Sequence, residues 1–173
     1  MECIKCHINR LTWSDPKKQI SDAFKKIGWH KPESQYQRYY EEQIANKRIV
    51  FLACIKEEFA GYGNILWMSN YPPFRQKQIP EISDLNILPS FRRKGIASAI
   101  MDQAEEMISK RSDTAGIGVG LYTDYGPAQL MYVLRGYMPD SLGITYKYRP
   151  VYGGQKICAD DDLVMWFTKD LSR

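Results

Sequence analysis

Between Asp84 and Ile108 the spacing of apolar residues changes abruptly, and no other feature so limits what the chain can fold into. Leu85 and Ile87 alternate with Asp84 and Asn86, the period of a strand with two unlike faces. Ala97, Ile100, Met101, Ala104, Met107 and Ile108 then recur at spacings of three and four, a single stripe along a helix. A strand therefore runs through a short basic turn, "PSFRRKG" (residues 89–95), directly into an amphipathic helix. A helix of that kind buries its stripe against a sheet, so the chain mixes both element types.

The flanking segments extend the pattern. Cys3–Leu11 reads as a strand. A helix follows, with an acidic cap at Asp15 and Pro16 in its first turn; Ile20, Ala23, Phe24 and Ile27 keep helical spacing and Gly28 stops it. A second helix over residues 32–48 carries Tyr36, Tyr40 and Ile44 on one face. Arg48–Ile55 and Phe59–Ser69 form a hairpin across the charged turn Lys56–Glu58, and "YPPF" (residues 71–74) marks a loop. Ile79–Pro89 is the strand that enters the basic turn. Thr114–Thr123 is another strand, which places Gly116, Gly118 and Gly120 on one face. Glycine weakens a strand unless something must approach its backbone closely. Gly126–Tyr137 is a short helix ended by Gly136. Gly143–Pro150 and Leu163–Leu171 are the last strands, joined by a loop holding "GGQ" and Asp160–Asp162. The expected order is β-α-α-β-β-β-α-β-α-β-β, in a single domain over residues 1–173.

Composition removes several classes of function. With 44% apolar and 25% charged residues the chain can bury a proper core and is not disordered. No apolar run is long enough to cross a membrane, and the N-terminal stretch lacks a signal-peptide core, so no membrane partner and a cytoplasmic location are expected. The net charge is +4, with basic and acidic residues interleaved, which suits a small anion and leaves no concentrated face for nucleic acid. Four cysteines in such a chain are expected as free thiols. Cys3, Cys6 and His7 spell C-x-x-C-H, a haem-attachment pattern found in exported proteins; an ordinary first strand is the better reading. With only His30 left over and no second cysteine pair, no metal is expected.

The basic turn has its own chemistry. The first turn of a helix presents unpaired backbone N–H groups and the positive end of its dipole. Gly95 and Ala97 leave those amides uncovered, and Arg92, Arg93 and Lys94 add charge at the entrance, so a phosphate or pyrophosphate is the natural ligand. The turn is neither a Walker loop nor a dinucleotide fingerprint.

At these residues the sequence resembles the GNAT superfamily of N-acyltransferases. Arg92, Gly95 and Ala97 match its acyl-CoA motif [QR]-x-x-G-x-[GA], with Arg93, Lys94 and Ile96 between them. "AQLMYVLRGY" is similar to a downstream helix of that family through Ala128, Tyr132, Gly136 and Tyr137. Two departures are visible: Met131 stands before Tyr132 where leucine is usual, and Tyr125 stands where many relatives carry asparagine. The resemblance implies a mixed, mostly antiparallel sheet of about seven strands flanked by about four helices. It implies acetyl-CoA as co-substrate. Backbone groups of Leu85 and Ile87 would pair with the pantetheine arm, and amides from Arg93 through Lys94, Gly95, Ile96 and Ala97 to Ser98 would hold the pyrophosphate. Tyr132 would protonate the leaving thiolate.

Acylation of an amine also needs a base, because an ammonium must lose its proton before it attacks. Glu81 and Asp84, on the strand before the turn, are the candidates, and Glu81 matches the family position. The acceptor region implied by the resemblance contains Trp29, His30, Tyr36, Tyr39 and Tyr40, and then Asp160, Asp161 and Asp162; aromatics with acids would suit a cationic amine. Core packing and a solvated turn are the alternative roles for those two groups. The expected activity is direct transfer of an acetyl group to a primary amine, on a small molecule or a peptide, by a monomer or homodimer. An inactive acyl-CoA-binding or sensing module of the same fold is the alternative.

Overall fold

The computed structural model describes residues 6–11 and 17–172; the expected helix cap at Asp15 and Pro16, and Cys3, lie outside them. The elements are β1 (Cys6–Arg10), α1 (Lys17–Lys25), α2 (Glu33–Ile44), β2 (Arg48–Ile55), β3 (Glu58–Leu66), α3 (Pro72–Gln76), β4 (Glu81–Ile87), α4 (Ile96–Ser109), β5 (Thr114–Gly120), α5 (Gly126–Leu134), β6 (Met138–Tyr146), β7 (Arg149–Pro150) and β8 (Leu163–Asp170). These are eight strands and five helices among the described residues, where the sequence predicts about seven and about four. Two short pieces make the difference. Pro72 and Pro73 pre-set the backbone for the first turn of α3, so "YPPF" is helical rather than a loop. Lys147 and Tyr148, both left-handed (φ 50° and 63°), form a two-residue turn that divides the expected strand 143–150 into β6 and β7.

The pairing is mostly antiparallel, with β4 and β5 the parallel pair. The chain forms two compact units. The first comprises residues 1–67 and 83–104, with strand order β1-β2-β3-β4; the second comprises residues 68–82 and 105–173, with order β4-β5-β8-β6-β7. Strand β4 and helix α4 each contribute to both.

In the first unit Phe24, Tyr36 and Tyr62 are fully buried and meet edge-to-face, with centroids 5.6 Å apart for Phe24–Tyr62 and 5.4 Å for Tyr36–Tyr62. Helix α2 buries Tyr36 and Tyr39, whereas Ile44 is 65% exposed, so the expected Tyr36–Tyr40–Ile44 face is displaced. Gln43 takes the next inward position because it bridges two strand ends, donating to Leu11 O at 2.6 Å and accepting from Val50 N at 2.9 Å. Helix α1 ends at Lys25, and Ile27 lies exposed beyond it. Leu85 and Ile87 share a face as expected: a Cβ added at Gly63 or Gly61 would strike their side chains.

In the second unit the three glycines of β5 receive aromatic rings. An added Cβ would lie 2.3 Å from the Phe74 ring at Gly116, 2.8 Å from the Trp166 ring at Gly118, and 2.4 Å from the Tyr125 ring at Gly120. Trp166 stands directly across the ladder from Gly118. The approach that glycine permits here is by side chains of the same chain. Tyr71, Phe74, Ile79 and Trp166 form the core laid over that face.

Candidate functional site

The strand–turn–helix of the first unit holds most of the expected donor residues. Leu88 N donates to Ala60 O at 2.9 Å, fixing the end of β4, and Pro89–Phe91 make one 3₁₀ turn with Phe91 buried. Arg93 (φ 58°) and Gly95 (φ 78°) are both left-handed. Nothing lies within 4 Å of a Cβ added at Gly95, so conformation rather than crowding is what favours glycine there. Ala99 N donates to Gly95 O at 2.9 Å as α4 begins, so the amides of Ile96, Ala97 and Ser98 come before the first amide with an intrahelical carbonyl. Ile96 itself is 2% exposed and anchors the helix start in the core, so its share in a cradle is its backbone.

The three cations are not equivalent. Lys94 folds back, its Nζ donating to Ser90 O at 3.0 Å over the Phe91 ring. Arg92 donates from Nε to Ile87 O at 3.2 Å, with its guanidinium 5.5 Å from the centroid of the Trp29 ring. Arg93 is exposed.

Asp84, one of the two candidate bases, sits left-handed in β4 (φ 50°) and is saturated with donors. Lys31 Nζ and Asn86 Nδ2 each reach Oδ1 at 2.7 Å; Tyr62 OH at 2.5 Å, Tyr39 OH at 2.8 Å and Gln35 Nε2 at 3.1 Å reach Oδ2. Burial alone would raise its carboxyl. The Lys31 ammonium, with the hydrogen bonds from Lys31, Tyr62 and Tyr39, outweighs that and holds it below the usual range. An ionised carboxylate with filled lone pairs makes a structural hub and a poor proton acceptor. Tyr36, Tyr39 and Tyr62 around it are core residues, and burial raises all three phenols. His30 is exposed and Tyr40 half-buried.

Glu81, the other candidate, lies in the second unit and differs in kind. It is 7% exposed and registers with Gly116, so it shares the glycine face of β5. Ser69 Oγ donates to its Oε2 at 2.5 Å and accepts from Tyr71 N at 3.0 Å. An aromatic wall stands beside it. Tyr71 stacks on Trp166 at 4.2 Å and 3°, and Tyr148 stacks on the same ring at 5.9 Å and 29°. Burial, then the negative charge of Glu81, raises the Tyr148 phenol, which places that hydroxyl within electrostatic reach of the carboxylate. Tyr71 OH donates to Asp140 at 2.8 Å.

Tyr132, on α5, is 5% exposed, and burial pushes its phenol up, so it keeps its proton through neutral pH. Tyr125 covers Gly120, and its hydroxyl donates to Asp161 at 2.9 Å; Tyr122 OH donates to the same oxygen. Asp160 accepts from Tyr146 OH at 3.0 Å, and Lys147 lies 3.9 Å from Asp162. The three acids therefore tie down the loop before β8. Among the described residues no group of three His, Cys, Asp or Glu could hold a metal ion, and no helix is long and apolar enough to cross a membrane.

Sequence reasoning missed Ser69, Tyr148 and Lys31. Each comes from a turn or loop, and only the fold brings it to its carboxylate. The one readable signal was "YKYR" (residues 146–149), whose left-handed pair reads as a strand run until the turn is seen.

Several solved structures share this architecture. An aminoglycoside 6′-N-acetyltransferase complexed with coenzyme A is 18% identical, with a TM-score of 0.67 over 96% of this chain and 98% of that one. The ribosomal-protein-S18-alanine N-acetyltransferase of Escherichia coli is 13% identical (TM-score 0.68, 98% and 96% covered). A spermidine/spermine N-acetyltransferase of Vibrio cholerae is 14% identical (TM-score 0.66, 97% and 94% covered). At these identities the likeness is one of fold. No curated protein sequence matches the chain. Residues 12–137, however, match the acetyltransferase (GNAT) family as a sequence pattern. That span contains β4, the left-handed basic turn, the glycine strand and α5 in order, and with this match the chain belongs to the acetyltransferase (GNAT) family.

Proposed function

We propose that the protein transfers an acetyl group from acetyl-CoA to the primary amine of a small cationic molecule, in a cytoplasmic setting and as a single functional domain. The observation that carries the reading is Glu81, a buried carboxylate beside the stacked rings of Tyr71, Trp166 and Tyr148. Ring faces and a carboxylate together favour an ammonium and can also relieve it of a proton. Aminoglycosides and spermidine, the acceptors in the names of two structural relatives, are amines of this class.

In this reading the amides of residues 93–98 hold the pyrophosphate, and Arg92 supplies charge beside them. The registered pairing of β4 with β5 covers Glu81 and Ile82, and the backbone of Leu85 and Ile87 further along β4 pairs with the pantetheine arm like an added strand. Glu81 takes a proton from the ammonium, directly or through water. The freed lone pair forms the C–N bond at the thioester carbonyl, the C–S bond breaks, Tyr132 gives its proton to the leaving thiolate, and the second proton of the acylated nitrogen returns through water to the Tyr132 phenolate. No covalent enzyme intermediate is needed.

Tyr125 favours a second reading, a module that binds acyl-CoA without turnover. Its side chain is committed to Gly120 and Asp161, so it offers nothing like the asparagine amide expected there. One experiment separates the two: calorimetric titration with acetyl-CoA, followed by free-thiol release with a panel of polyamines, aminoglycosides, amino acids and N-terminal peptides. Release with an oligoamine and not with the peptides supports the transferase reading. Binding without release for every amine supports the module, and absence of binding overturns both.

A further inference from the structure

Arg92 makes two contacts that lie outside the motif it belongs to. Its Nε donates to the carbonyl of Ile87, at the end of β4, while its guanidinium lies against the ring of Trp29. Trp29 comes from the α1–α2 connection (residues 26–32), more than 60 positions earlier in the chain. That ring is itself fixed. Trp29 N donates to Phe24 O at 3.0 Å, and the indole stacks on the Phe24 ring at 5.8 Å and 8°, with Phe24 fully buried. Two residues later Lys31 is paired with Asp84 on β4 at 2.7 Å. The connection thus grips β4 at two points, through Lys31 at Asp84 and through Arg92 at Ile87.

A guanidinium held over a ring still has N–H groups to offer an oxyanion. With Nε on Ile87 O, the two terminal NH₂ groups remain to meet such an oxygen. A long side chain ordered before the ligand arrives also loses less freedom when it binds.

We infer that Trp29 is a positioning residue for the anion turn, holding Arg92 ready for a phosphate oxygen, and that the α1–α2 connection is thereby coupled to donor binding. The inference rests on residues 92–98 being the pyrophosphate site. All three cations are exposed, but Lys94 is folded onto Phe91 and Ser90, and of the three it is Arg92 whose guanidinium lies against Trp29.

The test is a double-mutant cycle on CoA affinity with Trp29→Ala, Arg92→Ala and the double variant, repeated with S-acetylpantetheine, which lacks the pyrophosphate. Trp29→Ala should weaken CoA binding about three- to tenfold, the range for losing one cation–ring contact, and flatten its salt dependence. The double variant should bind CoA no worse than Arg92→Ala alone, and pantetheine affinity should change less than about twofold. Trp29→Phe keeps a ring and should recover most of the loss, which guards against a variant that merely folds poorly. Losses that multiply, or an equal loss for S-acetylpantetheine, overturn the positioning role while leaving the pyrophosphate site standing. Wild-type protein that fails to bind CoA overturns both.

Discussion

At the scale of single residues, the two carboxylates of β4 are separated by their surroundings, although nothing in their chemistry distinguishes them. Glu81 has a serine and an aromatic wall; Asp84 has an ammonium and four further donors. Glu81→Gln should lower turnover by about a hundredfold or more and remove the acid limb of the pH–rate profile, with acetyl-CoA affinity nearly unchanged. Thiol-release assays across pH 5–9 check this, and an unmoved profile removes Glu81 from the mechanism. Asp84 answers to a different measurement. Its folded value is depressed, so its contribution to stability is complete above the unfolded value near 3.9 and is lost as pH falls through the folded one. Asp84→Asn should therefore cost roughly 2–4 kcal/mol in urea unfolding at pH 7, because Lys31 is left without its partner, and the gap from wild type should narrow below about pH 4.

At the scale of elements, the glycine strand is the instructive case. Its three glycines were legible as an oddity, yet their reason was not, because Phe74, Trp166 and Tyr125 come from three different parts of the chain. Gly116→Ala sets a Cβ 2.3 Å from the Phe74 ring and should cost about 1–3 kcal/mol by urea unfolding. Adding Phe74→Leu should recover part of that loss, since the two changes share one space. If the two costs simply add, the ring is not what the glycine accommodates. Helix α2 teaches a related lesson. Tyr36 was placed correctly, but Tyr39 and Gln43 rather than Tyr40 and Ile44 continue its inward face, because Gln43 satisfies Leu11 O and Val50 N. Apolar periodicity cannot see a half-buried glutamine that belongs there for its hydrogen bonds.

For the molecule as a whole, the order of elements from α1 to α5 and the left-handed basic turn fall within the span that matches the acetyltransferase (GNAT) family. Acetyl-CoA at about 100 times its dissociation constant should stabilise the fold by about 2.7 kcal/mol. For a chain of 173 residues that raises the melting temperature by roughly 5–10 °C in a thermal scan. Adenosine, which lacks the phosphates, should leave it unchanged.

The sequence by itself determined the strand–turn–helix at residues 84–108, the succession of the main elements and the family, because these rest on local periodicity and on residues close together in the chain. Only the tertiary structure decided which partners surround each carboxylate of β4, what the glycines of β5 accommodate, and that Trp29 lies against Arg92. Most of these depend on partners well separated along the chain, as Gly118 with Trp166 and Trp29 with Arg92 are. A spacing pattern fixes the face on which a side chain lies, but its charge, its packing and its chemistry are set by the neighbour that folding places opposite it.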